Sequence, residues 1–419
     1  MLGLYGAQTD GGASFEELWQ TTQSRSIAAK RAALTVQAAS VDASLADKRD
    51  DPSLSATAAV AKRYREDPPA STTEKYSEDQ TYGLRLNWLV YDFGRTSATR
   101  ERMAQARRAA ELSATAVNEA LHWQLARVFQ AAAHADRLAA ATQEQVSIAE
   151  RKFTEQTRNY RQGLRSESDL VASEVDLGRA RIAHADAVAS ARAAAIKLAQ
   201  IVDGDATRQR MARTGALRTA PDVAKLVATW TAPSSSTADA VRAAERAALE
   251  ADAERVGADL LPTLSVTGQV EDSGSFQPLA RSGSAQLQLA WTVPWNGQNR
   301  LEAEQIAIKR SQLDLQEQSD RESRRELELV GSDQLAAASA NWEAYERQLK
   351  LAEKQRQLTE NRYRTGKASA LELSSSEAAV ISAKLDRVRL SHLAVLAAID
   401  VAEARGVGPD AKLLQQLFD

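Results

Sequence analysis

The chain is built twice, and no other property narrows its fold as much. Displaced by 203 residues, it meets itself. Leu86, Trp88, Val90 and Gly94 fall on Leu289, Trp291, Val293 and Gly297, while Tyr160, Arg161, Gly163, Ser166, Leu170, Ser173 and Glu174 fall on Tyr363, Arg364, Gly366, Ser369, Leu373, Ser376 and Glu377. One offset serves both clusters, so the stretch from Gly94 to Gly163 is as long as that from Gly297 to Gly366. Loops drift in length, but long packed helices do not, because one inserted residue turns every later side chain by about 100°.

Each unit reads as helix, strand, strand, long helix, turn, helix. The first repeat covers 1–203. A helix over about 13–48 ends before Asp51-Pro52, and strands follow over about 53–65 and 81–92, separated by the polar loop Asp67 to Thr73. A helix runs from 95 to 161, a turn falls at Gly163, and a second helix covers 166–202. Residues 204–236 read as a mixed linker ending in Ala232-Pro233-Ser234-Ser235-Ser236. The second repeat, 237–405, has a helix to about 258, strands over about 263–271 and 284–293, a helix over 298–364, a turn at Gly366 and a helix over 369–405. A short tail, 406–419, follows. Each long helix extends for about 100 Å at ~1.5 Å per residue, well beyond the ordinary globular length.

The last helix carries Ala378, Ile381, Leu385, Val388, His392, Val395, Ile399 and Ala402 at steps of three and four, a coiled-coil-like seam. Its counterpart carries Val175, Ile182, Ala185, Ala189, Ile196 and Ala199. Such seams suit plain core packing equally well. The strands alternate. Tyr82, Leu84, Leu86, Trp88 and Val90 share one face of the second, and Leu287, Leu289, Trp291 and Val293 one face of the fourth. The first and third alternate more weakly, through Leu54, Ala56, Ala58 and Val60 and through Leu264, Val266 and Val270. Trp88, Tyr91, Phe93, Trp291 and Trp295 gather at the strand ends that adjoin the long helices, where an interfacial aromatic girdle would sit. A soluble sheet with one face on a helix has the same alternation. Four strands leave two open edges, and open edges in lipid strand backbone polar groups. If these strands cross a membrane, several chains must close one barrel.

Composition removes other classes. The chain has 53 Lys+Arg against 56 Asp+Glu, a net charge of -3, so it lacks the basic excess of a nucleic-acid binder. It has no cysteine, which excludes disulfides, thiol nucleophiles and Cys-ligated metals. The histidines His122, His134, His184 and His392 form no His-Glu-x-x-His pattern, and no phosphate-cradling glycine loop or Gly-x-Ser-x-Gly elbow occurs. No enzyme and no cofactor is expected. There is no apolar run long enough for a transmembrane helix, and Met1 to Gly12 lacks the basic-then-apolar pattern of a secretory signal.

Leu89-Val90-Tyr91-Asp92-Phe93-Gly94-Arg95 resembles the strand-to-helix junction of the TolC family of outer-membrane efflux and secretion channels. Tyr363-Arg364-Thr365-Gly366-Lys367-Ala368-Ser369-Ala370-Leu371-Glu372-Leu373 resembles that family's helix-turn-helix tip. Val293-Pro294-Trp295-Asn296-Gly297 and Tyr160 to Leu170 are the paired second copies, and the resemblance spans about 13–406. It implies a mainly α chain with membrane β-structure. Three copies would complete a 12-stranded barrel and an α-helical periplasmic tunnel in a Gram-negative outer membrane, with the linker and tail in a belt around the tunnel. A signal segment is then expected that this numbering does not include.

The resemblance also implies partners: a periplasmic adaptor protein meeting the tips, and an inner-membrane pump of ABC or RND type. The adaptor-contact residues would be Gly163, Leu164 and Ser166 in one tip and Gly366, Lys367 and Ser369 in the other. Lys367 stands where the family has a hydrophobic residue. The pore constriction would be Glu372, with Asp169 and Tyr363 joined by an inter-helix hydrogen bond and Arg364 or Lys367 substituting for an arginine that Ala368 replaces. Two functions from different classes follow. One is a passive exit duct for tripartite efflux or type I secretion; the other is a soluble elongated coiled-coil scaffold.

Overall fold

The computed structural model describes residues 15–64, 76–202, 219–230, 236–274, 280–292, 296–408 and 417–418. In order these form α1 (Phe15–Arg25), α2 (Ile27–Asp47), β1 (Ser53–Tyr64), β2 (Tyr76–Tyr91), α3 (Arg95–Arg161), α4 (Glu167–Val202), α5 (Ala220–Ala228), α6 (Thr237–Ala258), β3 (Thr263–Gly274), β4 (Ala280–Ala290), α7 (Gln298–Arg364) and α8 (Ala370–Ala404). The duplication is visible in the lengths. Both α3 and α7 have 67 residues, and α4 and α8 have 36 and 35.

The chain divides into two compact units. One comprises Met1–Ala32, Ala114–Thr237 and Ser319–Asp419; the other comprises Ala33–Ser113 and Ala238–Gln318. The first unit has an apolar core drawn from α1, α3, α4, α5, α7 and α8, in which Trp123, Phe129, Leu198, Val223, Trp342 and Ile399 are buried. α8 is Ala-rich there, so its backbone comes close to neighbours. Gly331 of α7 has no Cβ because one would lie 2.9 Å from Val401 Cγ2 and 3.2 Å from the Ala397 carbonyl oxygen. Leu417 and Phe418 return into this core, Phe418 stacking edgewise on Phe129 at 4.9 Å. The stretch 409–416 lies outside the described residues.

The second unit is an antiparallel sheet in the order β1-β2-β3-β4, joined to the adjoining helix segments. Arginines near the start of α3 hold the C-terminal ends of α6 and α2. Arg95 donates to the carbonyls of Ala258, Asp259 and Leu261 after α6 and pairs with the Asp259 carboxylate at 2.6 Å. Arg100 donates to the Asp47 carbonyl at the end of α2 and pairs with Asp50. Cations at helix C-termini satisfy carbonyls that the helix leaves free.

Several boundaries differ from the sequence reading. The first helix is two, interrupted at Ser26, whose hydroxyl caps α2 by accepting from the Ala29 amide. β2 starts at Tyr76 rather than 81, because its polar beginning still pairs with β1: Tyr64 lies opposite Tyr76 and Val60 opposite Gln80. β3 reaches Gly274, and β4 covers Ala280–Ala290. The linker contains α5, announced by Thr219, which accepts from the Asp222 amide, with Pro221 in the first turn. The loop Asp67 to Thr73 and the segment 293–295, with Trp295, lie outside the described residues.

The seam on α8 is buried at Ile381, Val395, Ile399 and Ala402, but that read on α4 is buried only at Ala199. Val175, Ile182 and Ile196 are exposed, and α4 buries Ser173, Leu177, Ala180, Ala187, Ala191 and Leu198 instead. α4 has two apolar stripes. The second faces inward, where Leu177 and Ala180 pack against Val146, Ala149 and Phe153 of α3.

Candidate functional site: a two-faced sheet and two helix tips

The strand register sorts the sheet into two chemically distinct faces. Leu54 lies opposite Leu86, Ala56 opposite Leu84, Trp88 opposite Val266, and Leu264 and Val266 opposite Leu289 and Leu287. Alternation with period two puts these on one face and Ser55, Thr57, Arg85, Asn87, Thr267, Gln269, Gln286 and Gln288 on the other. Arg85 donates to Gln269 Oε1 at 3.0 Å across the polar face. Among the described residues no helix covers the apolar face: Leu54 is 71% exposed, Leu287 69% and Leu289 65%. Among the described residues β1 and β4 are each paired along one side only.

The aromatic residues anticipated at the strand ends are exposed there, namely Trp88, Tyr91, Phe93 and Trp291. Tyr91 and Phe93 meet edge to face at 4.7 Å, and Trp291 Nε1 donates to the Leu260 carbonyl at 3.0 Å. Phe93 has φ 54°, in the left-handed region that costs an ordinary residue free energy, and Gly94 follows at φ 97°. This reversal lets Asp92 cap α3, accepting from the Thr96 amide at 2.7 Å.

The two tips are built alike. α3 ends on Gly163 at φ 71°, with the Leu164 amide bonded to the Asn159 carbonyl and the Gly163 amide to that of Tyr160. α7 ends on Gly366 at φ 73°, with the Lys367 and Gly366 amides bonded to the carbonyls of Arg362 and Tyr363. Each is a Schellman turn, which places glycine where φ must be positive. Ser166 and Ser369 then cap α4 and α8, accepting from the amides of Asp169 at 3.2 Å and Glu372 at 3.1 Å. Leu164 and Leu371 stand exposed beside the turns.

The gate residues read from the sequence are found at the tips with other partners. The Asp169 carboxylate accepts from its own cap, Ser166, at 3.0 Å, and Glu372 is exposed in the same third position of its helix. Tyr363 is bonded not to Asp169 but to Gln156, whose Nε2 donates to its hydroxyl at 2.9 Å. The Arg165 guanidinium lies 5.0 Å over the Tyr363 ring, and Arg364 pairs with Glu360 one turn earlier. Gln156 was missed because a bond spanning 207 residues leaves no local pattern. Among the described residues no group of side chains is arranged to hold a metal ion.

Residues 18–204 match the family described as "Outer membrane efflux protein". No curated protein matches the sequence. Among solved structures, the outer membrane protein VceC of Vibrio cholerae is similar with a TM-score of 0.79 at 14% identity, over 94% of this chain and 97% of that one. The CmeC outer membrane channel of Campylobacter jejuni is similar with a TM-score of 0.80 at 12% identity, over 100% of this chain and 95% of that one. A membrane protein of Pseudomonas aeruginosa gives 0.80 at 18% identity, over 96% and 92%. Residues 18–204 thus match the outer membrane efflux protein family, and the duplicated chain that contains them has the fold of the outer membrane proteins VceC and CmeC.

Proposed function

We propose that the chain is one protomer of a passive outer-membrane exit duct of a tripartite efflux system. The uncovered apolar face of the sheet carries this reading. In water it would leave Leu54, Leu84, Leu287 and Leu289 solvated beside two open strand edges. Lipid covers that face, and further copies pair the edges. Three copies would supply twelve strands, a number within the range of membrane barrels. The polar face with Arg85, Asn87, Gln269 and Gln288 then lines a water-filled lumen.

In this reading the tips are periplasmic and dock an adaptor through Leu164 and Leu371, next to Ser166 and Ser369. An inner-membrane pump of ABC or RND type supplies the energy, and type I secretion is a second use of the same duct. The soluble scaffold is disfavoured because it leaves the apolar face without a cover. The test is reconstitution. The purified chain should need detergent, cross-link as a trimer and give discrete conductance in planar bilayers. A detergent-free monomer without conductance would overturn the reading.

A further inference from the structure

A cavity of about 1120 Å³ lies within the first unit, lined by the later turns of α3 and α7 and the early turns of α8. It is large enough for a small organic molecule, whose sites usually occupy roughly 300–1,000 Å³.

The deep part of the cavity presents acceptors. Gln156 is 2% exposed; its Nε2 donates to the Tyr363 hydroxyl at 2.9 Å, and its Oε1 has no partner. A desolvated acceptor costs free energy until an N–H or O–H reaches it. Glu377 of α8 is half-buried and, among the described residues, has neither a hydrogen bond nor an ion pair. Burial raises its carboxyl above the usual glutamate range, while Lys152, Arg356 and Arg151 draw it down and Glu360 adds to the rise. Lys152 is already paired with Asp176 at 2.9 Å, and Arg356 with Glu360 at 3.4 Å. Lys152 stands one helical turn before Gln156, so the orphaned amide oxygen and the carboxylate line the same stretch of the cavity.

The rim has the opposite excess. Arg151, Lys350 and Lys354 are exposed there against Glu155 and Glu353, and among the described residues none of the five is in an ion pair. Arg151 commits only its Nε, to the Ser147 carbonyl at 3.2 Å. Ile148, Val380 and Ile381 add an apolar wall.

These features select a chemistry. A plain anion reaching the deep part would meet the Glu377 carboxylate, and a plain cation would pass the rim lysines. A molecule with both charges satisfies both ends. We propose that this cavity binds a small peptide-like zwitterion, its ammonium on Glu377 and Gln156, its carboxylate toward Arg151 and Lys354, and its side chain against Ile148 and Val380. The duplication provides one such site per chain. Displaced by 203 residues, Glu377 falls on Glu174, which is exposed, and Gln156 falls on Thr359. The site stands whether or not the chain conducts.

The probe is the dipeptide leucylglycine, titrated calorimetrically into the full chain in detergent. One molecule should bind per chain. N-acetyl-leucylglycine lacks the ammonium and leucylglycine amide lacks the carboxylate; each should bind roughly tenfold more weakly, the scale of a lost charge-assisted hydrogen bond. Glu377→Gln should weaken the dipeptide roughly tenfold and leave the N-acetyl form unaffected. Arg151→Gln combined with Lys354→Gln should weaken the dipeptide and leave the amide unaffected. This exposed pair carries the test by itself if Glu377→Gln fails to fold. No binding, equal binding of the three forms, or binding indifferent to these variants would overturn the proposal.

Discussion

One buried and two half-buried histidines place a titration inside the first unit. His122 sits 1% exposed among Phe15, Trp19 and Trp123 with neither ring nitrogen bonded, and burial pushes its imidazole down to about 4. His392 stacks on His134 at 4.1 Å and 8°. Burial, then His134 and Arg137, lower His392 to about 4, and burial, then Arg137 and Arg389, lower His134. The unfolded chain binds protons at these sites from about pH 6.5 downward while the folded chain does not. Stability should therefore be greatest above about pH 6.5 and fall as the pH drops toward 4. Thermal melts across that range should show the slope, and His122→Phe should flatten it. Glu372 is a different kind of residue, exposed and free to meet its symmetry copies. If three such carboxylates ring the lumen, Glu372→Ala should lower cation preference in a planar bilayer; unchanged reversal potentials would move the constriction elsewhere.

At the scale of elements, Gly331 marks where α7 crosses α8. Gly331→Ala gains helix propensity but drives a Cβ against buried Val401 and the Ala397 carbonyl. Overpacking of this kind should outweigh the gain, and we expect a net loss of about 1–2 kcal/mol, read as a lower Tm. The elements were largely legible beforehand where chemistry is local. Glycine and serine fixed both tips, because a Schellman turn needs positive φ and the next helix needs a cap. Trp88 and Leu287 fixed the apolar face through period two. The interior was less legible where choice depends on a neighbour. α4 offers a stripe of Val175, Ile182 and Ile196 and another of Leu177, Ala180 and Ala187, and hydrophobicity favours the first. Packing against Val146 and Ala149 of α3 selects the second. α5 was legible from Thr219-Ala220-Pro221-Asp222 and was passed over because composition around it resembles a loop.

In the proposed trimeric barrel, the two faces of the sheet make opposite demands on a charge. Leu287→Arg places a guanidinium on the lipid side and should destabilise the inserted barrel by about 2–4 kcal/mol near mid-depth. Gln288→Arg, one residue on, points into the lumen and should leave folding intact while altering ion selectivity. Heat-modifiable mobility on gels, compared between the two variants, checks the first expectation, and bilayer recordings check the second. Equal losses in both would mean that the faces are not separated by lipid. The open edges of β1 and β4 add a matter of timing. In the proposed duct, until it meets its siblings, a newly exported copy is a sticky ribbon, able to zip onto any passing strand. Cells making this protein should therefore hold few unassembled copies, and proteases or escort proteins should clear or shelter stragglers before they aggregate.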